Sequence, residues 1–421
     1  LIFVSGLCIG MWRGDVVRHT MMVYQHIVGK TVMLDGSVAE DPDTDKSGSM
    51  TVRLHDVLIN GHTLPGEVWV GVVGKKPIER SDRVVVKGKL LAGFASFGAS
   101  MYRADVVKIQ RPVPGDVALH VRNNFADHVR QGIREPAASL GLGYLVGQRR
   151  ALPPKLDDAL RIAGLMHVVV ASGYNLTILV RLGRRLFARV SKFLAAFSSS
   201  ALIVGFYAVT GASPSMARAG LVAFLSLAAW YYGRRFHPLV LLPLAAAVTL
   251  LVDPSYGWNN LGWSLSFAAF AGVMILAPLG QAYFFGSKKP STVRQILGET
   301  ITAQIATLPL LVSSFGVFST VAIFANLLIL PLVPLAMLLT FITGIAGYIL
   351  PDLVHIIAFP AQILLDYMVW VAEYFANLPW SQIETAWNGW IVALYYVVLL
   401  GVAFWIWRAT KLSLRDSNIV E

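Results

Sequence analysis

The stretch Met166–Val180, MHVVVASGYNLTILV, decides what kind of chain this is. It is apolar enough to enter a membrane, yet Ser172-Gly173, Tyr174 and Asn175 stand in its middle. In hydrocarbon every freed backbone group must find a partner, so irregular backbone survives only where protein or a water-filled cavity covers it. Gly173 has a simpler reading as well, a small residue that lets two helices approach closely. Tyr174 and Asn175 need partners of their own and add weight to a break that lines a cavity.

The rest of the chain fits a membrane setting. Of 421 residues, 56% are hydrophobic and 14% charged; soluble domains carry about 25% charged residues. The net charge of +11 admits nucleic acid or anionic lipid as partners. It is also what membrane topology produces, since basic residues collect in cytoplasmic loops. One cysteine, Cys8, excludes an intrachain disulfide and a cysteine-rich metal site. Residues 1–12 read as a partial transmembrane helix, the cut end of a longer segment.

Composition divides the remainder. Residues 13 to about 135 are polar, and within them 28–110 hold five strand-like runs, with Asn60-Gly61 as a hairpin-turn signal. Five short strands over so few residues predict a small barrel of OB type. Residues 111–161 read as a connecting amphipathic helical region, in which GLGYLVGQRRALPPKLDDALRIAG is expected to lie in the membrane plane. Apolar stretches then follow near 162–181, 193–211, 215–232, 238–253, 260–279, 295–315, 319–350, 354–376 and 389–407, within a transmembrane region of 162–408. Residues 409–421 form a cytoplasmic tail.

The loops between these stretches alternate in charge. RLGRRLFARVSK, YYGRRFHP, GSKKPSTVR and the tail are basic, whereas GASPS, DPSYGWNN, SFGVFS and NLPWSQIETAWN have no Lys or Arg. The positive-inside rule then puts the 28–110 domain on the outer side. The expected fold is a polytopic α-helical membrane bundle of about nine to ten spans, some broken, with an N-terminal extracytoplasmic small β-barrel (OB-like) domain.

Two further places break the apolar pattern. In TGASPSMARAG, Ser213 suits an N-cap, Pro214 the first helical turn, and Arg218 follows about one turn in. Arg218 either snorkels to the surface or lines a polar interior. Pro309, Pro331 and Pro334 are expected to break or kink their helices, with Gln304 and Asn326 close by. The concentration of breaks favours a polar path through the bundle over isolated kinks. Ser172, Gly173, Tyr174, Asn175, Arg218, Gln304 and Asn326 are the candidates for lining it.

No P-loop, H-E-x-x-H or G-x-S-x-G is present, and the nine histidines never form H-x-H. An intramembrane serine nucleophile at Ser172 would need a base, and His167, five residues earlier, lies on another helix face. The chain is therefore expected to be no enzyme and to need no cofactor.

Several of these stretches together resemble one family, the ComEC proteins that form the inner-membrane DNA channel of natural competence. MHVVVASGYNLTILV is similar to the family's H-L-x-A-x-S-G-L-H, and LVGQRRALPP to its L-x-G-x-R. TGASPSMARAGLVAFL matches T-G-x-x-x-S-x-x-R-A through Thr210, Gly211, Ser215, Arg218 and Ala219. DPSYGWNNLGWSLSFAAFAGV and TLPLLVSSFGVFSTVAIFANLLILPLVP match two further motifs, in order, over about residues 140–340. LHDVLINGHTLPGEVWVGVV…SDRVVVKGKL looks like the middle of the family's OB-like domain.

The resemblance implies conduction of single-stranded DNA across the bacterial inner membrane. Its implied partners are single-stranded DNA, membrane lipid, a DNA receptor outside, a separate nuclease and a cytoplasmic motor. Asn175 departs from the family, which has a second His there, so no titratable group is expected at that point. Many members continue into a metallo-β-lactamase-like domain, and this chain, ending at Glu421, is expected to leave strand degradation to another polypeptide. The rival readings are a small-solute transporter, which would be expected to show internal repeats, and a membrane-anchored scaffold tolerant of changes at Ser172, Asn175 and Arg218.

Overall fold

A computed structural model describes residues 2–44, 49–59, 61–74, 76–148, 151–169, 173–211, 214–234, 238–256, 260–286 and 290–411. Two compact units emerge, one built mainly on residues 1–123 and one holding most of the remainder. Each is taken by itself.

The first unit opens with helix α1, Ile2–Met21, which runs past the expected 1–12 and into a short 3-10 turn, Met22–His26. Five long strands follow: β1 (Thr31–Val38), β2 (Met50–Ile59), β3 (Glu67–Val72), β4 (Arg83–Ala92) and β5 (Phe97–Gln110). Around the sheet their order is β1-β4-β5-β3-β2, and β2 pairs back to β1, so the barrel closes on itself. Closure removes the edges at which an open sheet would aggregate. Among the described residues only the β3–β5 pair is parallel. Ile59 pairs with His62 of a two-residue strand, which places a tight hairpin at the expected position, although Asn60 itself lies outside the described residues.

Strand alternation explains the interior. Leu34, Val52, Leu54, Val68, Val70, Val84, Val86 and Leu90 are all fully buried. Tyr24 also lies in that core at 2% exposure, and its hydroxyl donates to the Pro65 carbonyl at 2.9 Å. Asp116 closes the unit's polar periphery. Its carboxylate accepts from Arg80 Nε at 2.7 Å and from the Leu119 N–H at 2.9 Å, which caps helix α2 (Val117–Gly132).

The second unit is helical. After α2 come α3 (Ala137–Val146), α4 (Pro154–Ile162), α5 (Met166–Val169), α6 (Gly173–Phe187), α7 (Lys192–Thr210), α8 (Pro214–Tyr231) and α9 (Pro238–Val252). Then follow α10 (Leu261–Phe285, with a π turn at Gly272–Leu276), α11 (Thr292–Phe315), α12 (Ala322–Ile329), α13 (Val333–Ile349), α14 (Val354–Ala376) and α15 (Gly389–Thr410). Among the described residues six helices are long and apolar enough to cross a membrane: α7, α10, α11, α12 continued through α13, α14 and α15. The helices α3, α8 and α9 contain shorter apolar segments. The protein is a multi-pass membrane chain.

Three expectations need correction. First, Gly141–Val146 is not part of a half-exposed amphipathic helix: it belongs to α3, all ten residues of which are buried. Its small residues allow this. A Cβ on Gly141 would stand 2.6 Å from Thr340 Oγ1, and one on Gly143 would stand 2.6 Å from Val169 Cγ1. The amphipathic part is confined to α4, where Leu156, Ala159 and Leu160 are buried while Lys155 and Arg161 are exposed.

Second, Pro309 does not break its helix. A proline lacks the N–H that would bond to the carbonyl four residues back, here Ile305. That carbonyl instead accepts the Tyr395 hydroxyl of α15 at 3.0 Å, and α11 runs on to Phe315. Third, besides the break expected near Ser172, which lies outside the described residues, the 162–181 stretch is also interrupted at its start. It contains the end of α4, all of α5 and the first half of α6, with Gly164 in the left-handed region (φ +69°) turning the chain after α4. By contrast Pro331 sits in a 3-10 turn, Leu330–Leu332, and Pro334 in the first turn of α13, so the apolar run is interrupted there.

Candidate functional site

Asn175 sits two residues into α6 and is fully buried. Its amide nitrogen donates to two main-chain carbonyls, Tyr144 in α3 at 3.1 Å and Val168 in α5 at 3.3 Å. One side chain thus ties three helices together where carbonyls at the end of a short helix need donors. Its own Oδ1, and the hydroxyl of the wholly buried Tyr144, have no hydrogen-bond partner among the described residues. Gly173, at the start of α6, faces α8: a Cβ there would stand 3.3 Å from that of Ala219. Ser172 lies outside the described residues, and so does the side chain of Tyr174.

Ala219 is next to Arg218, which is 6% exposed. Its guanidinium stands over the ring of Phe267 in α10, 5.1 Å from the centroid. The expected start of α8 at Pro214 is observed, while the proposed cap Ser213 lies outside the described residues. Snorkelling would have left Arg218 exposed, so it belongs to the interior of the helical unit.

A further group of polar side chains lies where α11 meets α12. Gln304 Nε2 donates weakly to the Ser319 carbonyl at 3.5 Å. Gln304 Oε1, Ser319 Oγ and Asn326 Oδ1 are buried with no hydrogen-bond partner among the described residues. The turn after α4 rests against this place, since a Cβ on Gly164 would stand 2.6 Å from the Ala322 Cβ and 3.5 Å from Ser319 Oγ. The candidates therefore have different neighbours: Gly173 packs against Ala219, Arg218 lies over Phe267, Asn175 ties Tyr144 and Val168, and Gln304 reaches Ser319, with Asn326 buried in α12.

Sequence reasoning missed Tyr144, Ser319 and Thr340. Thr340 is fully buried opposite Gly141, and its hydroxyl also lacks a partner among the described residues. The signal that could have found Tyr144 is the Gly141-Leu142-Gly143 run, which marks a close helix contact rather than a surface helix. Thr340 gave none, being one hydroxyl in a long apolar stretch. No group of three or more His, Cys, Asp or Glu among the described residues is placed to hold a metal ion.

The ends of the helices carry the charge pattern expected from the loops. Arg184 of α6 stands 4.6 Å from the ring centroid of Trp230 in α8, and Lys192 of α7 stands 5.7 Å from the same ring. These three helix ends share one side of the unit. Arg294 packs over Phe285 at 4.4 Å at the turn between α10 and α11.

Residues 144–409 match the family model described as "Competence protein". The chain is 28% identical over 355 residues to Competence protein ComA of Neisseria gonorrhoeae, covering 77% of this chain and 45% of that protein. It is 25% identical over 206 residues to ComE operon protein 3 of Bacillus subtilis (strain 168), covering 47% of this chain and 25% of that protein. The chain thus spans less than half the length of either relative. No solved structure matches it. The family match takes in every candidate from Asn175 to Asn326 and more than half of the chain, which therefore belongs to the competence protein family and is of the ComEC type.

Proposed function

We propose that the helical unit conducts single-stranded DNA across the bacterial inner membrane into the cytoplasm during natural transformation, with the barrel on the outer side. The observation that carries this reading is the burial of Arg218 inside an apolar helical unit. Insertion scales set the cost of an Arg at the centre of a membrane helix at about 2.5–3.5 kcal/mol, so such a residue marks a functional path by default. A guanidinium offers charge-assisted hydrogen bonds to phosphate. Its planar guanidinium also rests over the Phe267 ring.

Gln304, Asn326 and Ser319 supply further polar groups for such a path, and the buried acceptor of Asn175 adds another. Widely separated polar stations suit conduction better than a dense basic patch, because a strand that binds too tightly cannot leave. No bond-cleaving chemistry is assigned to these residues, and degradation of the complementary strand belongs to a separate nuclease. A DNA receptor outside and a cytoplasmic motor complete the pathway.

The test compares uptake of labelled DNA in cells producing the protein, Arg218→Lys or Arg218→Leu at equal membrane abundance. Uptake is expected to fall at least about tenfold in the leucine variant, the loss of a charge-assisted bond. The lysine variant keeps a cation and retains part of it. Equal uptake in all three would remove Arg218 from the path and favour the scaffold reading. Uptake of small solutes that tracks the same variants would favour a transporter.

A further inference from the structure

One stretch of the chain carries cations with no carboxylate of its own to meet them. Between Asp158 and Asp253 there is no Asp or Glu, yet residues 181–192 alone hold five Lys or Arg. The helices α6, α7 and α8 therefore cannot neutralise this charge among themselves. Two of the cations are gathered at one place. Arg184 stands 4.6 Å and Lys192 5.7 Å from the centroid of the Trp230 ring, and Lys192 also lies 5.8 Å from that of Tyr231. A ring quadrupole attracts a cation but carries no net charge, so the exposed Lys192 stays uncompensated by these rings.

Beside these cations a cleft of about 190 Å³ runs between α7 and α8. Ala196 and Ser200 line it from α7, Phe224, Leu227 and Ala228 from α8, and Tyr231 stands where the cleft meets Lys192. Its opening follows from how α7 is held. On its other side α7 is drawn to α6, where Ser199 Oγ donates to the Val180 carbonyl at 3.4 Å and a Cβ on Gly183 would stand 2.9 Å from that oxygen. Towards α8 the short side chains of Ala196 and Ala228 leave a slot that nothing in the helical unit fills. The two turns from Phe224 to Tyr231 cover about 10 Å of helix axis. Phe224 is 38% exposed and Tyr232 75%, so the slot is open along its flank. Because α7 is one of the helices long enough to span a membrane, that flank faces hydrocarbon.

We infer that α6, α7 and α8 form a site for one anionic glycerophospholipid, whose phosphate meets Lys192 and Arg184 and whose acyl chain lies in the slot between α7 and α8. Cations at one end of an apolar slot match an amphiphile, charged at one end and apolar along its length. Basic pockets between transmembrane helices hold anionic headgroups, and Trp and Tyr rings belong at the headgroup level. The fork of Arg184 suits two phosphate oxygens at once, while Lys192 acts as a point charge. Free phosphate would use the cations and leave the slot empty. A nucleic-acid strand would have to place sugars or bases against hydrocarbon. The site depends on the membrane setting of the chain and not on the strand-conduction reading, so either can fail without the other.

The full chain, delipidated in a neutral detergent, is titrated with dioleoyl phosphatidylglycerol, and the first bound lipid is followed by native mass spectrometry. Dioleoyl phosphatidylcholine, with the same acyl chains and no net charge, is expected to bind at least about fivefold more weakly. Lys192→Gln should raise the Kd for phosphatidylglycerol about fivefold, and Arg184→Gln with Lys192→Gln about 25-fold. Lys192→Arg should retain the affinity, which a folding defect at that position would not allow. Ala228→Trp fills the slot from an exposed position and should weaken both lipids at least about fivefold while leaving the cations in place. Arg408→Gln removes a cation that likewise rests over a ring, Phe404 at 5.1 Å, and should change nothing. An equal loss in Arg408→Gln would mean diffuse charge attraction and would overturn the site. Unchanged lipid affinity in Ala228→Trp would overturn the acyl slot. Displacement of phosphatidylglycerol by inorganic phosphate or by an oligo-dT strand at matched concentration would reassign the cations to a free anion or to nucleic acid.

Discussion

Asn175 commits both hydrogens of its amide to the carbonyls of Tyr144 and Val168. An apolar residue there strands two buried acceptors, while an aspartate sets its carboxylate against them. Hydrogen bonds between helices in membranes are worth about 0.6–1.7 kcal/mol each. Asn175→Leu is therefore expected to destabilise the helical unit by about 1–3 kcal/mol, and Asn175→Asp by more. Thermal unfolding in detergent checks this, and unchanged midpoints would mean that the brace is not needed. The sequence singled out Asn175 because an amide inside an apolar run needs partners. It could not say that those partners lie in α3, because that contact joins residues 31 positions apart through two glycines. Ser172 was chosen by the same logic, and the described residues do not include it.

At the scale of single elements, α11 shows how a helix keeps a proline. Pro309 frees the Ile305 carbonyl, and the Tyr395 hydroxyl takes it from a different helix. Tyr395→Phe is expected to cost about 1 kcal/mol, the net worth of one such bond. Pro309→Ala restores the in-helix donor and should abolish most of that cost, so the two changes are coupled in a double-mutant cycle. Tyr396 donates to Ala306 at 2.9 Å, where proline removes no donor, so Tyr396→Phe should show no coupling to Pro309→Ala. Additive effects of Tyr395→Phe and Pro309→Ala on the unfolding midpoint would sink this account. A break at Pro309 was the natural expectation, since a donor 86 positions further along is invisible to any local pattern. The barrel strands were legible because a period-two alternation is local.

A second element-scale prediction concerns the cap of α2. Burial alone would raise the Asp116 carboxyl, but hydrogen bonds from Arg80 and the Leu119 N–H together hold it below the usual carboxylate value. A depressed folded value means the stabilisation is fully present above the unfolded value near 3.9 and is lost as pH falls through the lower folded one. Acid melting of the barrel region, followed by limited proteolysis between about pH 5 and 2, should therefore begin at higher pH in Asp116→Asn. Removing the cap and the ion pair together in Asp116→Ala should cost about 1–3 kcal/mol at neutral pH. Identical acid profiles for the parent and Asp116→Asn would show that the carboxyl does not report on folding there.

Across the whole molecule the charge pattern of the loops carries the orientation. Arg184, Lys192 and Trp230 bring the ends of α6, α7 and α8 to one side of the helical unit, as an alternating topology requires. In the proposed orientation the positive-inside rule makes that the cytoplasmic side, with the barrel expected outside. That expectation is read from loop composition rather than from packing. The sequence did not reveal that α3 belongs to the core, since a ten-residue helix is too short to register as a span and its burial depends on distant helices. Cys8 is the only cysteine, so a Cys8→Ser background permits single thiols to be placed at will. Lys89 on β4 and Arg189 after α6 are both exposed. In intact spheroplasts a membrane-impermeant maleimide is expected to label Lys89→Cys fully and Arg189→Cys only after lysis. Labelling of Arg189→Cys before lysis, with Lys89→Cys protected, would invert the molecule and place the barrel on the cytoplasmic side.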